Sequence, residues 1–360
     1  MPQVDSSSIS PFRLVAHPST AFRHASPRPP HRLSAILGRN VPTLHAARSG
    51  VYFAIYSQGE TVFLFWNQKA ITMQKHPELT LTRVYQFAES LVPLWYPERR
   101  PLELRVWSAP DRVTYEEAMK GVYRPARVGE TFGPAWSTHW VKVSAEIPRE
   151  WAGRPVHLLW NSSSEACVWK DGRILQGLTG ASSSQRPIRI EYPVTPAARG
   201  GERVAYEIEV ACNHLFGLRV KTRIGELLEA DLAVFDPDAW GLYWDLITLH
   251  DLAKYLPESE PRRARALFEA NAIVNACRLD DRATWVDARA RARAFLSVPN
   301  GPAAHEVSAI GHAHIDSAWL WPMAETKRKC YRTFASMLKL MEEFPDFIFA
   351  CSQAVQYDWM

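Results

Sequence analysis

Apolar residues recur at helical spacing over residues 80–94, where Leu81, Val84, Phe87, Leu91 and Val92 line one face behind threonine caps, and one helix is predicted there. Between residue 105 and about residue 235 the period drops to two. Val141, Val143, Ala145 and Ile147 alternate with Lys142, Ser144 and Glu146, while Val204, Tyr206, Ile208 and Val210 alternate with Arg203, Glu207 and Glu209. This rhythm predicts strands with one wet face. Asp171-Gly172 separates Ala166-Cys167-Val168-Trp169 from Ile174-Leu175 and predicts a tight hairpin, because both central residues of a type I′ turn take positive φ. Repeated short strands with Pro- and Gly-rich turns indicate a β-sandwich. After Asp236-Pro237-Asp238 the helical period returns in the stripe Trp240, Tyr243, Leu246, Ile247 and Leu249. A second helix opens at Pro261 and runs through Leu267, Ile273 and Val274, and a third, rich in Ala and Arg, lies near residues 285–296.

Pro299-Asn300-Gly301-Pro302 then interrupts the pattern and marks a linker. Beyond it, residues 307–311 read as a short strand, 325–343 as a helix and 347–351 as a second, buried strand, a βαβ order. Such a crossover joins parallel strands and places the loop after the first strand at the carboxyl edge of the sheet, where α/β folds bind ligands. The expected fold class is therefore α+β multidomain. Its parts are a low-order extension over residues 1–75, a helix over 76–100, a β-sandwich over 101–235, a helical linker over 236–303, and a βαβ unit over 304–360.

Charge narrows the partners. Residues 1–60 hold six Arg against Asp5 and Glu60, so the net charge of +4 resides in this Ser-, Pro- and Arg-rich start, and the other 300 residues are neutral. A neutral body has no electrostatic footprint for nucleic acid or a membrane surface, and neither partner is expected. Apolar runs such as Val62 to Trp66 are far below the roughly 18 residues of a membrane-spanning helix. Five scattered cysteines read as reduced thiols rather than a disulfide framework, and the sequon Asn161-Ser162-Ser163 matters only in a secretory lumen. A cytoplasmic setting fits, with a vacuolar or organellar one open; Pro27, Pro29 and Pro30 argue against the amphipathic helix of a transit peptide.

The most informative segment is Gly311-His312-Ala313-His314-Ile315-Asp316-Ser317-Ala318-Trp319-Leu320-Trp321-Pro322. On an extended strand, side chains two apart share a face about 6.6 Å from each other, so His312, His314 and Asp316 are expected to project together. Two imidazoles and a carboxylate are donors suited to Zn²⁺. The competing reading is a hydrogen-bonded histidine pair at a strand end, with Asp316 capping the next element. Trp319 is either core or a platform for the apolar face of a sugar ring.

These residues, continued by Glu325-Thr326, Arg328-Lys329-Cys330 and Phe347 through Ala354, resemble the opening of the catalytic domain of glycoside hydrolase family 38 α-mannosidases, in their cytosolic and vacuolar branch. Shorter likenesses extend upstream through Arg124-Pro125-Ala126, Phe132-Gly133-Pro134, the run from Glu209 to Asn213, the run from Ala230 to Phe235, and Ala270-Asn271, so that the resemblance covers about residues 76–360.

The resemblance implies a (β/α) barrel-like catalytic domain, zinc-dependent retaining hydrolysis of terminal α-mannosides, and a mannose-containing oligosaccharide as partner. It implies that His314 and Asp316 are zinc ligands, that His312 is not, and that Trp319 stacks on the sugar. The ion is expected to be Zn²⁺, with Co²⁺ as an alternative. No catalytic residue can be assigned, because the family's nucleophile, general acid and last ligand lie well beyond the opening motif. A closed barrel takes about 250 residues, and 58 follow Pro302, so an incomplete barrel and an inactive amino-terminal fragment are expected. Ser317 and Met323-Ala324 depart from the family pattern beside the sugar. Two other functions compete: a different H-x-H metal-dependent hydrolase, which lacks the Trp-x-Trp-Pro continuation, and a non-catalytic β-sandwich for carbohydrate binding or assembly. Homo-oligomerisation stays open.

Overall fold

The computed structural model describes residues 51–57, 60–66, 75–180, 188–213, 225–299 and 307–360. The expected low order of residues 1–50 and the break at Asn300-Gly301-Pro302 lie outside them. The chain forms two compact units, one of residues 1–88 with 244–307 and one of residues 89–243 with 308–360.

In the first unit, β1 (Val51–Ser57) and β2 (Glu60–Trp66) pair antiparallel, with Ser57 opposite Glu60. This corrects part of the expected low-order extension, since two seven-residue runs rich in aromatic and β-branched residues suit a hairpin. The predicted helix is α1 (Pro77–Leu91), which gives way at Val92 to a 3-10 turn because Pro93 follows. Its Val84, Ala88 and Leu91 are buried as the period requires.

The second unit is built on a sandwich. Its strands are β3 (Glu98–Pro101), β4 (Glu103–Ala109), β5 (Arg124–Ala126), β6 (Thr138–Glu146), β7 (Val156–Asn161), β8 (Ala166–Lys170), β9 (Arg173–Leu178), β10 (Glu191–Thr195), β11 (Arg203–Val210) and β12 (Glu229–Val234), with the short helix α2 (Tyr115–Met119) after β4. One antiparallel sheet has the order β5-β4-β6-β11-β8-β9 and the other β10-β7-β12-β3. Val141, Val143, Ile208 and Val210 of the first and Leu158, Trp160, Leu232 and Val234 of the second enclose one apolar core. The turn between β8 and β9 has φ +51° at Asp171 and +77° at Gly172, the left-handed pair that the dipeptide predicts.

Alternation was a sound guide to the inner face and a partial one to the outer. Glu209 is not on a wet face: it is buried, because a helix from the carboxyl-terminal segment covers this side of the six-stranded sheet. Asn161 is also buried, its side chain accepting the Ser163 amide at 3.0 Å, so it is closed to glycosylation in the folded chain.

Three helices follow the sandwich: α3 (Pro237–Tyr255), α4 (Pro261–Ala276) and α5 (Ala283–Leu296). Leu242, Leu246 and Leu249 of α3 are buried, whereas Trp240 on the predicted stripe is exposed. No described helix is long and apolar enough to cross a membrane.

The carboxyl-terminal segment is β13 (Gly311–His312), α6 (Met323–Glu343), β14 (Phe349–Ala350) and α7 (Ala354–Asp358). β13 and β14 pair in parallel, Gly311 with Phe349 and His312 with Ala350, in the βαβ order that was expected. Both strands are shorter than predicted, and neither is buried, because each has only the other as a partner among the described residues. No closed barrel is present among the described residues.

Candidate metal and sugar site

The site forms where the chain leaves β13 and, before α6, runs without regular structure. His314 and Asp316 meet, with imidazole Nε2 at 2.9 Å from carboxylate Oδ1, and both side chains are open to solvent. His312 turns elsewhere, to the Ser352 hydroxyl at 3.4 Å. The spacing argument therefore overstated the cluster: an extended strand would have aligned all three, but β13 ends at His312. Asp316 caps no helix, since α6 begins after Pro322. Among the described residues no three His, Cys, Asp or Glu side chains gather as metal donors. Nitrogen and oxygen donors of this kind fit zinc, but two are fewer than the three or four protein ligands of a complete site.

Two side chains, Gln356 and Thr326, pin the loop through three hydrogen bonds. Gln356 of α7, itself buried, donates to the Ile315 carbonyl at 2.7 Å, between the two candidate ligands. The Ala318 amide donates to the Thr326 hydroxyl at 2.9 Å, and Ala318 sits at φ +62°, a left-handed conformation costly for a residue with a Cβ. The Trp321 indole N–H donates to the same hydroxyl at 3.1 Å. Trp319 remains 57% exposed and meets Trp321 edge-to-face at 5.8 Å, leaving ring surface open to a ligand.

Helix α6 holds this loop, and it docks on the sandwich by charge. Its buried face carries Glu325, Arg328, Lys329 and Arg332. Arg328 reaches Glu209 of β11 at 2.5 Å and Glu325 at 3.2 Å. Arg332 bridges Glu325 at 2.5 Å and Glu165 at 2.9 Å, and Lys329 pairs with Glu165 at 2.5 Å. Asn213 donates to Glu165 at 2.6 Å and to Glu325 at 3.3 Å, and Tyr331 donates to Glu209 at 2.7 Å. Burial alone would raise the Glu165 carboxyl, yet Arg332 and Lys329 beside it hold it below the ordinary carboxylate range. Burial and then Glu209 push the Tyr331 phenol well up, so it stays a donor. The helix backbone comes so near β9 that a Cβ on Gly177 would lie 2.6 Å from the Arg332 carbonyl.

Two family models match the chain: "Alpha-mannosidase, jelly roll domain" over residues 100–233 and "Glycosyl hydrolases family 38 N-terminal domain" over residues 304–360. The second match contains the His314–Asp316 pair and Trp319. The chain belongs to glycosyl hydrolase family 38. Alpha-mannosidase 2C1 of Homo sapiens is 39% identical over 310 residues, and alpha-mannosidase G of Dictyostelium discoideum is 32% identical over 307. These alignments cover 79% and 80% of this chain but 29% and 28% of the two relatives, so the family 38 chain spans less than a third of their length. A solved β-glucuronidase from Ruminococcus gnavus aligns at 10% identity and a TM-score of 0.29, over 39% of this chain and 30% of that one, which is too distant to support any inference.

Within the family 38 chain, sequence reasoning missed the docking network. Glu209 was read as a wet-face residue of an alternating strand, and Glu325-Thr326 and Arg328-Lys329-Cys330 as carriers of resemblance. A helical wheel gives the signal that was available: Glu325, Arg328 and Arg332 fall on one stripe, at i, i+3 and i+7. Glu165 carries no comparable signal.

Proposed function

We propose that this chain supplies the first part of the active site of a zinc-dependent α-mannosidase, which hydrolyses terminal α-mannosides of oligosaccharides with retention of configuration in a cytoplasmic setting. The observation that carries the reading is the solvent-open His314–Asp316 pair, with donors 2.9 Å apart, three residues before the exposed Trp319. His314 and Asp316 would hold the ion, Zn²⁺ or Co²⁺. When bound, zinc supplies Lewis-acid contacts to sugar hydroxyls. Trp319 offers an aromatic face to the apolar side of the ring, and Gln356 and Thr326 keep the loop in register with α6. The βαβ unit over residues 304–360 reads as the opening of an incomplete (β/α) barrel, with the sandwich and the helical segment as amino-terminal domains.

Two donors fall short of the three protein ligands that a catalytic zinc normally keeps. Purified residues 1–360 are therefore expected to show no turnover of an aryl α-mannoside with Zn²⁺ or Co²⁺ added. Turnover that disappears in Asp316→Ala would overturn the inactivity of this chain while upholding the metal role. Hydrolysis of amides but not mannosides, lost in the same variant, would overturn the mannosidase reading.

A further inference from the structure

We propose that Trp321 is a positioning residue for the sugar platform and the metal-ligand loop, locked by Thr326 and Lys329, and that Glu165 of the sandwich anchors the lock. This inference rests on the reading of His314, Asp316 and Trp319 given above. It adds that a sandwich carboxylate outside the catalytic segment sets their geometry.

The argument starts from the hydroxyl of Thr326, which is fully buried and receives two N–H groups, the Ala318 amide at 2.9 Å and the Trp321 indole at 3.1 Å. A single oxygen thus ties both ends of the four-residue stretch from Ala318 to Trp321, with Trp319 between them. The first of these bonds holds Ala318 in its left-handed conformation, φ +62°, which a residue with a side chain leaves readily unless it is held. Trp321 is fixed a second time through its face, since the Lys329 ammonium lies 4.6 Å from its ring centroid. Lys329 is in turn fixed by Glu165 at 2.5 Å, and Arg332 approaches the same oxygen at 2.9 Å. The final contact is the edge-to-face meeting of Trp321 with Trp319 at 5.8 Å. A continuous set of contacts therefore runs from the sandwich to the exposed ring.

Thr326 and Lys329 lie one turn apart on α6, so they approach Trp321 from the same helix face. Thr326 receives its N–H groups from Ala318 and Trp321, and Lys329 donates to Glu165. Their role is accordingly read through Trp321, not through direct ligation.

The test uses the 360-residue chain, ¹⁵N-labelled, with hydrogen exchange of the Trp321 indole N–H as the first readout and affinity for Zn²⁺ as the second. Thr326→Val should release the Trp321 indole to rapid exchange and weaken zinc binding about tenfold, in the range of other outer-sphere changes. Thr326→Ser, which keeps the hydroxyl, should restore both. Glu165→Gln should loosen the indole through Lys329 while leaving the Thr326 hydroxyl in place. Should Thr326→Val fail to fold, Trp321→Phe, which spares the helix, should still weaken zinc binding severalfold. Indole exchange unchanged in Thr326→Val and Glu165→Gln would overturn the proposal, and so would failure of Thr326→Ser to restore protection. If the wild-type chain binds no zinc, the metal reading fails by itself, and the positioning claim is then decided by the indole exchange alone.

Discussion

The sandwich interior and the interface under α6 both exclude water, yet they are built from opposite materials. Between the sheets, Val141, Val143, Leu158, Trp160, Ile208 and Leu232 form an apolar core. On the outer side of the six-stranded sheet, Glu165 and Glu209 of the sandwich meet Glu325, Arg328, Lys329 and Arg332 of α6, all buried or nearly so. Apolar cores tolerate repacking, because dispersion and hydrophobic burial have little directional preference. A buried ion network is different: desolvation roughly cancels the attraction, and the net yield is a single permitted register. The lesson is that the sandwich supplies stability and the charged face supplies alignment of the segment that carries the candidate site.

This contrast can be broken at the network first. Glu209→Gln takes from the buried Arg328 the nearer of its carboxylate partners, leaving it Glu325 at 3.2 Å, and is expected to cost about 3 kcal/mol, read from denaturant unfolding of the 360-residue chain. Glu209→Leu combined with Arg328→Met removes both charges and should recover most of that loss, while loosening the loop that precedes α6. If the double variant is as unstable as the single one, the charges are doing more than setting register.

Acidification sharpens the same contrast, because the far side of the sandwich handles an ionisable group chiefly by burial. His157 of β7 stacks on Phe235 at 4.4 Å with its Nδ1 3.0 Å from the Tyr96 hydroxyl. Burial, and secondarily Arg189, lowers its pKa from 6.5 to about 4. Between those values the unfolded chain binds a proton that the folded chain refuses, so stability falls as pH drops through this window, by up to about 3 kcal/mol. Glu165 has the opposite character: its folded pKa is depressed by paired cations, so its contribution persists above the ordinary carboxylate value and is lost only as pH falls below it. His157→Gln should flatten the stability profile between pH 6.5 and 4 and leave the steeper acid limb unchanged. An unaltered slope in that variant would assign the proton uptake to another group.

The sandwich was legible because period-two alternation reports directly on a face buried by a second sheet. The turn at Asp171-Gly172 was legible because few dipeptides accept two positive φ values. Alternation could not show that the outward-facing Glu209 would be covered, since a wet face and a face covered by charged partners have the same sequence pattern. At the candidate site, the motif and its resemblance named His314, Asp316 and Trp319, and the structure brings the first two together. Spacing alone would have kept His312 with them, and it failed because β13 stops before the loop turns. The hydroxyl of Thr326 was invisible for a simpler reason: its two partners lie five and eight residues earlier, in a stretch without periodic structure.

The central claim is that His314 and Asp316 form a divalent-cation grip and His312 does not. Calorimetric titration of residues 1–360 with Zn²⁺, run beside His314→Ala, Asp316→Ala and His312→Ala, tests it most directly. The account predicts one weak site, removed by dialysis, abolished in the first two variants and retained in the third. Zinc binding that survives both His314→Ala and Asp316→Ala, or that vanishes with His312→Ala, would contradict it.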